Sequence, residues 1–297
     1  MSDEAAAFVP GHITGFFSAH PDDDPAVAGS RGAGVTLSHG VDVRVVRGDV
    51  ADDIDCSDAA ITLNGDPIDV APVDAVRDAL GASNAQVVAE TPLPLGAGFG
   101  VSGAMALGTA YAVNAAYDCR RSENALVELA HVAEVEAGTG LGDVVAQARG
   151  GLPIRLEPGA PGHGRMDGIP ATPRVEYVAF GSVSTEAVLS GDTTALTAAG
   201  ERALSNLRDE PTVGRLVELS RRFARDADLL TDRVADAVSA VRAGGGDASM
   251  AMLGDTVFAF GDDLSTAGYD PEVCSVYPTG ATLRPTGIGD VSEPTSE

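Results

Sequence analysis

Lysine does not occur in this chain of 297 residues; all 19 of its basic residues are arginine. A Walker A phosphate loop closes on a lysine after its last glycine, so that device is excluded. Tryptophan is also absent, and aromatic residues make up only 4%. No run of about 18 apolar residues occurs, so no transmembrane helix is expected. The N-terminal MSDEAAAF is acidic and lacks the basic start of a secretory signal. Cysteine is scarce. Cys56, Cys119 and Cys274 are odd in number and far apart, and form neither a disulfide framework nor a metal-binding pattern. That usage fits a reducing compartment and leads us to expect a cytoplasmic protein.

Positive charge is the largest deficit. Against 44 acidic residues it leaves a formal net charge of −25, with a pI near 4.3. Such a surface repels nucleic acid and anionic membrane, so neither is expected as a partner. The acids are spread along the chain, as at Asp22-Asp23-Asp24, Asp52-Asp53 and Asp262-Asp263, rather than pooled in one tail. At molar salt the screening length falls to about 3 Å and self-repulsion becomes tolerable. The pattern reads as adaptation to high internal salt, as in a salt-loving archaeon. The sequence leaves open whether the chain pairs as a homodimer.

What the chain does have is glycine in a telling place. Residues 90–117, ETPLPLGAGFGVSGAMALGTAYAVNAAY, carry Gly96, Gly98, Gly100, Gly103 and Gly108 between a short apolar segment and an Ala-rich helical one. Glycine permits positive φ and close backbone approach to a ligand. A helix that starts directly behind such a loop offers free N–H groups and partial positive charge, which suit phosphate. The bland alternative is a plain strand-to-helix connection. Gly98-Phe-Gly100-Val-Ser-Gly103 fits G-x-G-x-x-G, yet Pro92 and Pro94 separate it from the strand. The residue about 20 positions on, Asp118, ends a helical run rather than a second strand, so a dinucleotide fold is weakly supported.

PLPLGAGFGVSGAMALGTA resembles the P-x-x-x-G-L-G-S-S-A-A loop of the GHMP kinases. PGHITGFF at 10–17 is similar to that superfamily's P-G-x motif near the N-terminus, and GDASMAMLGDTVFAF at 246–260 stands, in degenerate form, where its third motif belongs. Within the superfamily, PGHITGFF, GAGFGVSG, GTGLGDVVAQARGG and SMAMLGDTVF are similar to the archaeal pantoate kinases. The resemblance runs over nearly the whole chain, with the motifs in family order. It implies an α+β, two-domain GHMP kinase fold: an N-terminal domain like ribosomal protein S5 domain 2, and a ferredoxin-like C-terminal domain. It also implies ATP and Mg²⁺ as cofactors and pantoate as the small-molecule partner, phosphorylated on the route to coenzyme A. Homoserine, mevalonate or shikimate are the alternative acceptors. A non-catalytic relative that binds a ligand is the alternative of another class.

Along the chain, period-2 alternation predicts strands at 34–38 and 41–46, and a strand with a hairpin turn at 61–68. A strand over 8–17 is expected to break at Pro10-Gly11. Helices are predicted at 72–80, 102–117 and 122–137, the second apolar on all sides and so buried. Residues 144–147 and 152–155 read as strands around Gly150-Gly151. Residues 158–173, PGAPGHGRMDGIPATP, have linker composition and place a boundary between domains 1–160 and 161–297. Beyond it we expect a strand at 175–180, helices at 193–208, 213–227 and 230–241, and strands at 249–253 and 256–260. The acidic tail from Gly289 is expected to be disordered.

Phosphoryl transfer needs a phosphate cradle, a divalent cation and a group that positions the attacking hydroxyl. The loop Pro94, Gly96, Ala97, Gly98, Phe99, Gly100, Val101, Ser102 and Gly103 is the candidate ATP-binding segment. Ser102 is its only hydroxyl, and the resemblance implies that it binds Mg²⁺; a helix N-cap is its ordinary role. The resemblance makes Glu134 the second metal ligand, although helical spacing sets Glu136 nearer the apolar stripe. It makes Asp143 the catalytic group that orients or deprotonates the substrate hydroxyl. His12 stands where mevalonate kinase has a lysine and is assigned, with Arg155, to the substrate. An arginine fork suits the carboxylate of pantoate; Arg31 and Arg44 are rival candidates. His12, His20 and His39 lack zinc-ligand spacing.

Overall fold

The computed structural model describes residues 3–48, 60–182 and 193–285. Cys56 and the acidic tail lie outside them. The fold starts from one long hairpin. Strand β1 (Glu4–His20) pairs antiparallel with β2 (Gly29–Val46) along its whole length. Pro10-Gly11 does not break β1. It produces one register shift, and a second falls between Thr14 and Phe16, so the ribbon bends without ending. Both strands are buried almost throughout, which is why alternation revealed only pieces of β2.

The first sheet grows outward from this hairpin. Strand β3 (Ile61–Leu63), the left-handed turn Asn64-Gly65 and β4 (Asp66–Pro67) form a small hairpin. Helix α1 (Ala71–Ala79) leads to β5 (Gln86–Glu90), which lies between β2 and β3. Helix α2 (Val101–Ala116) then crosses the sheet. Thirteen of its sixteen residues are buried, against β1, β2 and its neighbours α1 and α3 (Glu123–Glu136). Its close seating depends on Gly108, where a Cβ would lie 2.6 Å from Val43 Cγ2. Ser122 caps α3 by accepting from the N–H of Ala125.

Two segments differ from the sequence reading. Residues 144–147 lie in a short helix, α4 (Asp143–Arg149), where a strand was expected. Seven residues are too few to display helical periodicity, and the Val144-Val145 pair mimics a strand. Strand β6 (Leu152–Glu157) follows as expected and pairs with β7 (Arg165–Ile169), inside the stretch expected to be a linker. A boundary at 160 would part these two paired strands, so the chain leaves the first sheet only after Ile169.

Strand β8 (Arg174–Ser182) opens the second sheet. Helices α5 (Thr194–Asp209), α6 (Val213–Asp226) and α7 (Asp232–Ala243) follow, then β9 (Ala248–Ala251), β10 (Gly254–Phe260), the one-turn α8 (Asp263–Thr266) and β11 (Glu272–Ser275). The spatial order β11-β8-β10-β9, all antiparallel, is that of the expected ferredoxin-like unit. The two sheets are tied together: α5 and α6 pack on β1, with Phe17 against Phe223, and β12 (Thr282–Arg284) returns to pair with β1. The architecture is α+β. No helix among the described residues is long and apolar enough to cross a membrane.

Candidate active site

The glycine loop is held open by its backbone. Gly96, Gly98 and Gly100 have φ of 74°, 88° and 63°, the region open to glycine. Three bonds pin the loop in place. The Ala97 carbonyl accepts from Thr256 Oγ1 at 2.8 Å, the Phe99 carbonyl from the His12 N–H at 2.9 Å, and the Gly100 carbonyl from Gln147 Nε2 at 2.9 Å. Gly100 is the N-cap of α2. It supplies no side chain to the helix end, and the first turn holds no acid. The N-terminal amides and the positive end of the helix dipole are therefore available to an anion.

Ser102 does not cap this helix. Its hydroxyl donates to Glu134 Oε1 at 2.6 Å. Glu134 is 3% exposed. Burial pushes its pKa up to about 7, against the lowering effect of the Ser102 hydrogen bond, and the nearby Asp143 charge raises it further. No cation balances it among the described residues. A buried carboxylate and a hydroxyl oxygen at this separation are hard ligands in search of a hard cation. Oxygen donors of this kind are those that Mg²⁺ takes. Glu136, two residues on, is exposed and turned away.

Asp143 opens α4 and faces the same space. His12 Nδ1 lies 2.6 Å from its Oδ1, and the Thr14 hydroxyl donates to that oxygen at 3.3 Å. Burial alone would raise the Asp143 pKa; the hydrogen bonds from His12 and Thr14 and the charge of Arg155 outweigh it and hold the carboxyl below its ordinary value. His12 is wholly buried, and burial lowers its own pKa. Its Nδ1–H donates to the carboxylate. Gly34 makes room for it, since a Cβ there would lie 2.3 Å from His12 Nε2.

These groups meet around one cavity of about 330 Å³. Its polar side presents Thr14, Ser30, Ser102, Glu134, Thr139, Asp143 and Arg155; its apolar side presents Phe17, Leu95, Met252 and Leu253. Arg155, on β6, is 2% exposed, and its Nε and Nη1 have no hydrogen-bond partner among the described residues. Arg155 lines the cavity, and a buried guanidinium with unpartnered N–H groups suits an anionic oxygen.

Of the sequence-predicted residues, Gly96, Gly98, Phe99, Gly100, Val101, Ser102, Glu134, Asp143 and Arg155 line the cavity. Pro94 is exposed beside it; Ala97 and Gly103 are buried behind the loop. His12 faces Asp143 instead of the cavity. The rival arginines are engaged elsewhere: Arg31 with Glu201 at 3.3 Å, and Arg44 with Glu4 at 3.3 Å. His20 bonds the same Glu201, and His39 bonds the Tyr177 hydroxyl. Sequence reasoning missed Thr14, Ser30, Thr139, Gln147 and the Met252-Leu253 turn. Only Thr14 carried a signal, lying two strand positions from His12 and so on the same face.

Residues 70–151 match the family described as GHMP kinases N terminal domain. Over 281 residues the chain is 31% identical to the pantoate kinase of Methanocaldococcus jannaschii, covering 91% of this chain and 99% of that protein. It is 36% identical over 267 residues to the pantoate kinase of Thermococcus kodakarensis, covering 85% and 86%. Among solved structures it is similar to a phosphotransferase related to the CoA biosynthesis pathway. That match has a TM-score of 0.82 and 29% identity, over 95% of this chain and 98% of the other.

Proposed function

The chain belongs to the GHMP kinase family, and we propose from that membership that it is an ATP-dependent pantoate kinase, yielding 4-phosphopantoate for coenzyme A synthesis. The observation that carries this reading is Arg155, a buried guanidinium with unpartnered N–H groups on the same cavity as Asp143 and the open end of α2. It fits a substrate that carries a carboxylate as well as a hydroxyl.

In this reading the α2 amides and the glycine loop bind the ATP phosphates through backbone N–H groups. Ser102 and Glu134 would hold Mg²⁺, which would supply charge neutralisation at the nucleotide phosphates. Arg155 binds the pantoate carboxylate as a fork. Asp143 orients the terminal hydroxyl and accepts its proton. A carboxyl with a lowered pKa is a weak base, so its main work is orientation, and the proton arrives late, once the phosphorus–oxygen bond is forming. That order suits the loose transition state of phosphoryl transfer. His12 and Thr14 fix the carboxylate for this task from behind.

The reading also places the protein in a reducing cytoplasm, in keeping with the free thiols Cys119 and Cys274. ATP consumption measured against pantoate, pantothenate, homoserine, mevalonate and shikimate tests it. Pantoate should be strongly preferred. Equal turnover of mevalonate or homoserine would move the chain to another branch of the family, and inactivity on all five would leave a ligand-binding relative.

A further inference from the structure

Leu253 occupies the tight turn between β9 and β10 with φ of 64°. The other described non-glycine residues with positive φ are Asn64, Asp118, Arg120 and Asp228, all exposed. Asn and Asp tolerate that region; a leucine there is strained. Leu253 is the apolar member of the set and the one that lines the cavity. A glycine stands next door, at 254, and is used for something else. A Cβ on Gly254 would lie 2.0 Å from the Ala97 carbonyl oxygen, so its bareness seats the hairpin on the phosphate loop.

The turn is also held firmly. The Met252 N–H donates to the Thr14 carbonyl at 2.9 Å, and the Met252 carbonyl abuts Gly98. Leu253 thus carries a strained backbone on a fixed support and lines the same cavity as the polar groups Asp143 and Arg155. Strain that persists at a binding site points to work done by the side chain that bears it.

We infer that Leu253 is the specificity-determining residue for the carbon segment between the acceptor's hydroxyl and its carboxylate. The inference rests on the acceptor reading given above. Hydroxy acids that place one end at Arg155 and the other at Asp143 differ only in that middle segment. The polar groups cannot tell a branched segment from a bare one; an apolar wall can. The two geminal methyls of pantoate are the feature such a wall selects.

The test uses Leu253→Gly and Leu253→Asn, both compatible with the left-handed conformation. Steady-state kinetics are measured with pantoate and with 2,4-dihydroxybutanoate, which keeps both ends and lacks the methyls, alongside thermal melts. Both variants should melt at or above the wild-type temperature. Their kcat/KM preference for pantoate should fall about tenfold or more, as expected for lost methyl contacts. The loss should lie in KM for pantoate, with kcat and KM for ATP near wild type. An unchanged preference overturns the inference, and so does a clear loss of stability in both variants, because the side chain then serves packing. Wild-type inactivity on both acids is a different result: it removes the acceptor reading itself, and this inference with it.

Discussion

At the scale of single residues, the site divides its carboxylates by environment. Glu134 is buried with hydroxyl partners and no cation among the described residues, whereas Asp143 is half-buried against a histidine and near an arginine, and their pKa values move in opposite directions. If Asp143 orients the hydroxyl, Asp143→Asn should lose about 10²–10⁴-fold in kcat, with KM little changed. Glu134→Gln should instead weaken metal binding and recover part of its activity at raised Mg²⁺, while Glu136→Gln stays near wild type. A Mg²⁺ titration of the three variants separates these roles; metal rescue of Asp143→Asn would reverse them. The raised pKa of Glu134 has a second consequence for the metal-free protein. Its folded value of about 7 lies above the ordinary 4.5. The stabilising contribution of the protonated group is therefore full below pH 4.5 and is lost as pH rises through about 7. Relative to Glu134→Gln, the wild type should lose on the order of 3 kcal/mol across that window. Denaturant melts at several pH values check this, and a constant difference between the two proteins would refute it. Glu134 and Asp143 were legible because family motifs flank them. Ser30, Thr139 and Leu253 were not, because strand pairing and a turn conformation bring them to the cavity, and neither is written locally.

At the scale of elements, the legible parts were those with a period or a strong breaker. The loop and α2 showed themselves through glycine spacing followed by alanine, and α1 lies within a residue of the helix predicted at 72–80. The elements that escaped are those made by tertiary context: α4 is too short for a period, and β7 is a strand only because β6 lies beside it. Gly108 carries the same lesson into energetics. Local propensity says that alanine in mid-helix is better than glycine by about 1 kcal/mol. Here a Cβ would stand 2.6 Å from one Val43 carbon and 2.9 Å from another, and a β-branched side chain in a strand has little room to move. Overpacking of this kind typically costs about 1–3 kcal/mol, so Gly108→Ala should destabilise the protein despite its better propensity. Val43→Ala should make room and recover part of the loss, which a double-mutant cycle of melts would register as a favourable coupling. Additive effects would mean that helix and sheet do not meet there as described.

At the scale of the whole molecule, the composition was fully legible, but its partition between paired and unpaired charge was not. Many arginines are already committed: Arg31 to Glu201, Arg174 to Glu176, Arg215 to Glu218 and Arg233 to Asp255. If every one of the 19 arginines paired once, 25 of the 44 acids would still lack a partner. Some carboxylates earn their place structurally, as Glu176 does by accepting from the N–H groups of Leu264 and Ser265 at the start of α8. Others, such as Asp22 and Asp23, are exposed and face like charge. Their repulsion is long-ranged in dilute buffer and is cut off at about 3 Å in molar salt. The melting temperature should therefore rise steeply between about 0.1 M and 1 M KCl. Relief of several kcal/mol corresponds to roughly 10 °C for a domain of this size. Screening does not depend on which alkali chloride supplies it, so NaCl should act as KCl does. Sulfate, which also strengthens apolar burial, would confound the comparison. Neutralising Asp22, Asp23 and Asp24 together as asparagines keeps their local turn bonds and removes three unpaired charges, so it should shift the midpoint of the salt dependence downward. A melting temperature that ignores chloride salts over this range would mean that the acidic excess does not limit folding.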